Sequence, residues 1–284
     1  MALKQRIIRW FEGAEALDRL SRPLAKVAAR AGGPTPVKNS LSGTWLGHPL
    51  HPMLTDVPIG AWIAAAALDI AGSPSSDNAA KGLVGLGVLA AAPTALSGWS
   101  DWSDTYGPEQ RVGVVHALGN LAAVVLQSAS YLLRRRGRHR QGILLSMAGL
   151  GAMGGAAYLG GHLSFIRGVG VNHTAFETMV EDWTDVAALA DLASDKPMRA
   201  SAGAVPVVLV RQGDEVHALS ATCVHAGGPL DEGELVDGCL RCPWHGSIFR
   251  LSDGSVVRAP ATTAQPSLQV RLEAGRVLVR RAAT

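Results

Sequence analysis

Charged positions in the first two thirds of the chain are spaced so widely that the gaps between them outline an architecture. Residues 82–100, 112–133 and 141–166 contain no Asp, Glu, Lys or Arg, giving windows of 19, 22 and 26 residues. Each is close to the roughly 20 residues a helix needs to cross the hydrocarbon core of a bilayer. A fourth apolar stretch, about 54–72 (LTDVPIGAWIAAAALDIAG), carries Asp56 and Asp69 toward its ends. Alanine and glycine dominate all four, which suits close helix packing in a membrane. The pattern predicts four transmembrane helices at about 54–72, 82–100, 112–133 and 141–166.

On either side the pattern changes. Residues 1–47 carry eight basic and three acidic side chains (Glu12, Glu15, Asp18). Ile7, Ile8, Phe11, Ala14, Leu17 and Leu20 recur there at helical spacing, which predicts a basic amphipathic segment lying on a surface. With no apolar core before a small-residue cleavage site, it does not read as a signal peptide. Residues 169–181 read as a linker. From 182 to 284 the period shortens: PVVLVRQ, EVHALS, SIFRLS, SLQVRLE and RVLVRR alternate with GD, DG and AG turns, the mark of short strands. The expected fold is α+β and multidomain: a four-helix membrane domain over 48–168, then a small all-β domain.

Composition narrows the function classes. A net charge of +3 with 17% charged residues, and no Lys/Arg stripe interleaved with aromatics, gives no reason to expect a nucleic-acid partner. All three cysteines fall within residues 223–242, too close together for a dispersed disulfide framework, so metal binding or redox chemistry is expected. No phosphate loop, nicotinamide or flavin fingerprint, or Ser-His-Asp order is present.

The cysteine stretch, ATCVHAGGPLDEGELVDGCLRCPWHGSIF, pairs Cys223 with His225 as CxH and Cys242 with His245 as CxxH. Two Cys and two His also suit a tetrahedral zinc site. Zinc fingers, however, pair Cys with Cys and His with His, whereas each loop here delivers one of each. Mixed loops suit a binuclear cluster in which one iron takes both thiolates and the other both imidazoles. The motif resembles the Rieske [2Fe-2S] family over approximately residues 182–280. By that resemblance Cys223 and Cys242 hold the inner iron, His225 and His245 the outer one, and RAPATT, with Pro260, forms a loop covering the cluster.

Departures from the family pattern refine the expectation. The Rieske proteins of cytochrome bc complexes carry a bracing disulfide at the places held here by Gly228 and Trp244, so no brace forms. Ser247 matches their cluster-bonding serine, but Phe249 stands at their tyrosine. Fewer hydrogen bonds to sulfur imply a potential toward the low end of the roughly −150 to +300 mV Rieske range. The likeness is therefore to Rieske ferredoxins and ferredoxin-like dioxygenase components. Cys239 has no matching role and is expected to be a structural thiol.

In the membrane half, GHPLHPMLTDVPIGAW resembles the signature of an uncharacterised family of bacterial membrane proteins, over about 44–170. Four alternating helices bring His48 and His51, then Trp99, Asp101 and Trp102, then His116, then His162 with His173 beyond, to one membrane face. Ionisable residues in a membrane are functional candidates. His48, His51, His116 and His162 are expected to hold a b-type haem or a quinone, or else to bond backbone carbonyls. Trp99 and Trp102 read as an interfacial aromatic belt.

The chain leaves the fourth helix on the face where it entered the first, which puts the β-domain on the side of the N-terminus. RRRGRHR (134–140) would draw the opposite face to the cytoplasm by the positive-inside rule. The absent disulfide and the lack of an opening twin-arginine signal favour a cytoplasmic β-domain. The expected protein is an integral protein of a bacterial cell membrane carrying single electrons between a membrane donor, quinol or haem, and a redox partner protein. The alternatives are a quinol oxidoreductase component in direct contact with quinol, and a redox-sensing membrane protein.

Overall fold

The structure, a computed structural model, describes residues 3–73 and 76–282. The chain divides into two compact units, Met1–Gly33 with Leu50–Val169, and Pro34–Pro49 with Gly170–Thr284.

In the first unit, α1 (Leu3–Gly13) and α2 (Asp18–Ala31) precede four long helices. These are α4 (Leu50–Ala71), α5 (Asp77–Trp102), α6 (Gly107–Arg135) and α7 (His139–Phe165); α3 (Thr35–Ser42) belongs to the second unit. All four are long and apolar enough to cross a membrane. Their packing is small inside and large outside: Ala65, Ala80, Val84 and Ala123 are fully buried, whereas Ile63, Ile70, Leu86, Leu89, Leu121 and Leu144 are exposed. A water-soluble bundle of this size would turn its large apolar side chains inward. Small residues at helix contacts and leucines outward is the arrangement a lipid solvent favours.

Helices α5 and α6 run past both ends of their charge-free windows, and at the C-terminal end of α6 the bounding charge is paired within the bundle. Arg134 on α6 donates through Nη1 to Asp69 Oδ1 on α4 at 2.7 Å and through Nε to Ser130 Oγ at 3.1 Å. Both charged side chains are buried, at 0% and 1% exposure. The N-terminal amphipathic helix also packs inward: Ile8 and Phe11 of α1 meet Val112 of α6 and Leu159 of α7. Arg111 on α6 ties down the next turn, bonding Asp18 at 2.7 Å and the Glu12 carbonyl at 2.8 Å.

The second unit is built on two antiparallel sheets. Six strands lie in the order β1 (Thr184–Ala188), β10 (Arg276–Arg281), β9 (Ser267–Glu273), β4 (Glu215–Ser220), β3 (Val205–Gln212) and β2 (Met198–Ala202). The other four follow in chain order: β5 (Glu234–Val236), β6 (Cys239–Arg241), β7 (Ile248–Arg250) and β8 (Val256–Arg258). Strand β3 is apolar on both faces, and its period of two divides Val207 and Leu209 into one core and Val208 and Val210 into another. The second of these cores joins the large sheet to Leu240 of β6 and Phe249 of β7, and it contains both Cys223 and Cys242.

Candidate metal centre

The loops after β4 and β6 fold identically at the backbone. The Cys223 N–H donates to Gly228 O, and the Gly227 N–H returns to Cys223 O, both at 2.8 Å. Nineteen residues on, the Cys242 N–H donates to Ser247 O at 2.8 Å, and the Gly246 N–H returns to Cys242 O at 3.1 Å. Closing a knuckle this tight needs a left-handed residue four positions after the cysteine, and Gly227 (φ 76°) and Gly246 (φ 73°) supply it. Each knuckle sends its cysteine into the core and its histidine outward: Cys223 and Cys242 are 1% and 2% exposed, while His225 and His245 are half-buried.

The four side chains meet as two pairs. The two imidazoles lie edge-to-face with centroids 4.8 Å apart, and the two thiols share a hydrogen bond. Among the described residues no group of three or more His, Cys, Asp or Glu side chains is placed to hold a single metal ion. One tetrahedral zinc would need all four around one point, whereas a binuclear cluster needs a thiol pair and an imidazole pair. The Nδ1 atom of His225 is buried with no hydrogen-bond partner among the described residues, a costly state for a polar nitrogen unless a metal takes it. The residues present therefore fit a [2Fe-2S] cluster.

Electrostatics point the same way. Burial pushes the His225 imidazole down to about 3, assisted by its neighbours His245, Lys38 and His173. Burial likewise lowers His245. Both rings are thus held neutral, the form that binds a metal. The hydrogen bond from Cys223 lowers the Cys242 thiol to about 7; the same bond, with burial, raises Cys223.

Neighbouring groups brace the knuckles. Buried Gln265 accepts the Val224 N–H at 3.0 Å and donates to Ser220 O and Thr222 O at 2.9 and 2.7 Å, fixing the first loop. Ser247 Oγ accepts the Ala261 N–H at 3.0 Å. A Cβ on Gly228 would sit 2.9 Å from Cys242 Sγ and 3.1 Å from the Trp244 ring, so the indole covers the place a bracing disulfide would occupy. Phe249 is fully buried. Cys239 lies on β6 with only a long contact, 3.8 Å, from its sulfur to Asp237 O. His173 packs beside Gly227 in this unit, its N–H bonded to Val224 O at 3.0 Å. Gln265 carries no spacing signal relative to the motif and was passed over, while His173, expected with the histidines of the membrane face, packs instead beside the first knuckle.

The helix-unit histidines are engaged differently. His51 Nδ1 bonds Thr94 O at 3.0 Å, and its ring lies against Gly98. His116 uses both nitrogens, Nδ1 on Ala156 O at 2.8 Å and Nε2 with Asn120 at 3.0 Å. His162 Nε2 meets Glu12 at 3.0 Å. His51 and His116 lie within electrostatic reach of each other. His48 belongs to the second unit, exposed, with Nδ1 on Pro49 O at 3.0 Å. Trp102 is a packing residue, its Nε1 donating to Gln110 O at 3.0 Å, while Trp99 is exposed.

Comparison with known proteins gives two family matches: the Rieske [2Fe-2S] domain over residues 182–270, and a family described as a predicted membrane protein (DUF2231) over 47–173. The anthranilate 1,2-dioxygenase ferredoxin subunit of Burkholderia cepacia is 31% identical over 103 residues, 36% of this chain and 95% of that protein. Human apoptosis-inducing factor 3 is 38% identical over 90 residues, but the chain spans only 15% of its length. Among solved structures, the ferredoxin of carbazole 1,9a-dioxygenase from Nocardioides aromaticivorans is 27% identical over 36% of this chain and all of its own, with a TM-score of 0.35.

Proposed function

We propose, from the premise that this chain belongs to the Rieske [2Fe-2S] family through its C-terminal segment, that it is a membrane-anchored carrier passing single electrons from a membrane-side donor to a protein acceptor. When bound, the cluster supplies one-electron chemistry. Cys223 and Cys242 would hold its inner iron within the apolar core, and His225 and His245 its outer iron at the half-buried edge. Ser247 would be free to donate its hydroxyl proton toward the cluster, and Gln265 holds the first knuckle in shape. The observation that carries this reading is the pair of matching knuckles that leave His225 Nδ1 buried with no hydrogen-bond partner among the described residues.

Donor and acceptor follow from side-chain chemistry and likeness. A haem held by His116 and His162 would need Nε2 of both, and Asn120 and Glu12 engage those atoms. Quinol is therefore the donor class placed first, with His51, which directs only Nδ1 to Thr94, as the group nearest to that role. The acceptor class follows the relatives named as ferredoxin subunits of dioxygenase systems: an oxygenase or comparable redox protein. Chain connectivity supports one side for both ends of the span. The chain leaves the β-rich unit at Pro49, runs through four long apolar helices and rejoins that unit at Gly170. We assign that side to the cytoplasm, with the basic N-terminal segment.

Anaerobic addition of a reduced quinone to purified protein in detergent tests the donor. Single-turnover reduction of the cluster at a rate set by quinol concentration is expected. A cluster reduced by dithionite but inert to quinol would remove quinol as donor.

A further inference from the structure

Helix α3 lies outside both family matches, at 182–270 and 47–173, yet it is fastened to the β-rich unit beside the candidate centre. Asn39 acts as a two-pronged clamp: Nδ2 donates to Val257 O at 3.0 Å and Oδ1 accepts the Ala259 N–H at 2.9 Å. Its amide thus pairs with backbone as a neighbouring strand would. Eight residues on, Gly47 O accepts from Thr263 Oγ1 at 2.9 Å, pinning the other end of the segment to the same stretch. That stretch in turn holds the second knuckle, through Ala261 N–H to Ser247 Oγ at 3.0 Å and Arg258 to Gly246 O at 3.4 Å.

Next to the clamp, Lys38 is only 4% exposed. Lysine is almost never buried to that degree without a reason. Its ammonium charge acts on His225 and His245 alike, consistent with a position at the imidazole pair.

We propose that Lys38, set in place by the Asn39 clamp, is a positioning residue whose fixed positive charge at the histidine edge favours the reduced form of the bound cluster and so raises its potential. The inference rests on the electron-carrier reading above. Two ferric ions, two sulfides and two thiolates sum to zero charge with neutral imidazoles; one electron from the donor converts one iron to ferrous and leaves a net charge of −1. A nearby cation attracts only the second state, and in a site shielded from water the attraction is weakly screened.

The test is a redox titration of full-length protein in detergent, followed by EPR, for the parent and for Lys38→Met, Lys38→Gln and Lys38→Arg. Met and Gln should each lower the reduced-to-oxidised ratio at fixed potential by about tenfold, a downward midpoint shift of about 59 mV for a one-electron couple. Arg should restore the parent midpoint, and cluster content and g-values should not change in any variant. Gln keeps the test decisive if the Met variant does not fold. A normal signal with an unshifted midpoint in Met or Gln would overturn the role of Lys38. Absence of a Rieske signal in the parent would overturn the cluster reading instead.

Discussion

His51, His116 and His162 of the helical unit and His225 of the β-rich unit show two opposite uses of histidine. In the helical unit, His51 and His116 direct Nδ1 to the carbonyls of Thr94 and Ala156, His116 adds Asn120, and His162 meets Glu12. In the β-rich unit, His225 keeps Nδ1 buried and unbonded beside a second imidazole. A satisfied polar group holds helices together where lipid offers no hydrogen bonds; an unsatisfied one, held rigidly by a glycine knuckle, is ready for a ligand. Residue type does not separate the two uses. What separates them is whether the fold supplies the partner.

The largest break in that comparison should come from removing one histidine in each unit. His245→Ala is expected to abolish the cluster entirely, whereas His116→Ala should leave the cluster's EPR signal and iron content at parent levels. A haem band lost with His116 would show that this histidine, too, serves a ligand. Next in size is the buried ion pair of the helical unit. Arg134→Ala strands Asp69 and should cost about 3–5 kcal/mol, seen as early thermal unfolding of the helices in detergent with the cluster signal unaffected below that transition. Asp69→Asn combined with Arg134→Gln should recover much of that loss.

Acid sharpens the contrast further. His225 is held near 3 in the fold against 6.5 when exposed, so between those values the unfolded chain binds more protons than the native one. Metal-free protein should therefore lose stability in its β-rich unit as pH falls from about 6.5 toward 3, and denaturant titrations across that range would measure it. A stability that is flat over this window would mean that His225 is solvated in the metal-free fold. The smallest effect is expected at Cys239, whose sulfur makes a long contact, 3.8 Å, to Asp237 O. Cys239→Ser should keep the full cluster signal and change stability by less than about 0.5 kcal/mol.

Local signals in the sequence carried most of the architecture. Gaps between charges located three of the four long helices and an apolar run with two aspartates near its ends the other, because a membrane span must exclude unpaired charge over about 20 residues. The CxH and CxxH loops pointed to the candidate ligands because loop-borne chemistry is written in adjacent residues. What escaped was long-range pairing. The end of α6 was cut short because Arg134 read as a boundary, and Asp69 stood in the first span with no visible partner; only their meeting across 65 residues makes both internal. Residues 1–47 read as one amphipathic segment, yet Ile8 packs against α6 and α7, and Asn39 clamps Val257, 218 residues away. Gln265 and Lys38 were illegible for the same reason: their roles depend on which loop they touch, and no periodicity encodes that.

The most direct measurement of the central claim is low-temperature EPR on dithionite-reduced protein, with iron and acid-labile sulfide counted on the same sample. A Rieske-type signal with two irons and two sulfides per chain is expected, lost in His245→Ala. A silent sample holding one zinc per chain would contradict it.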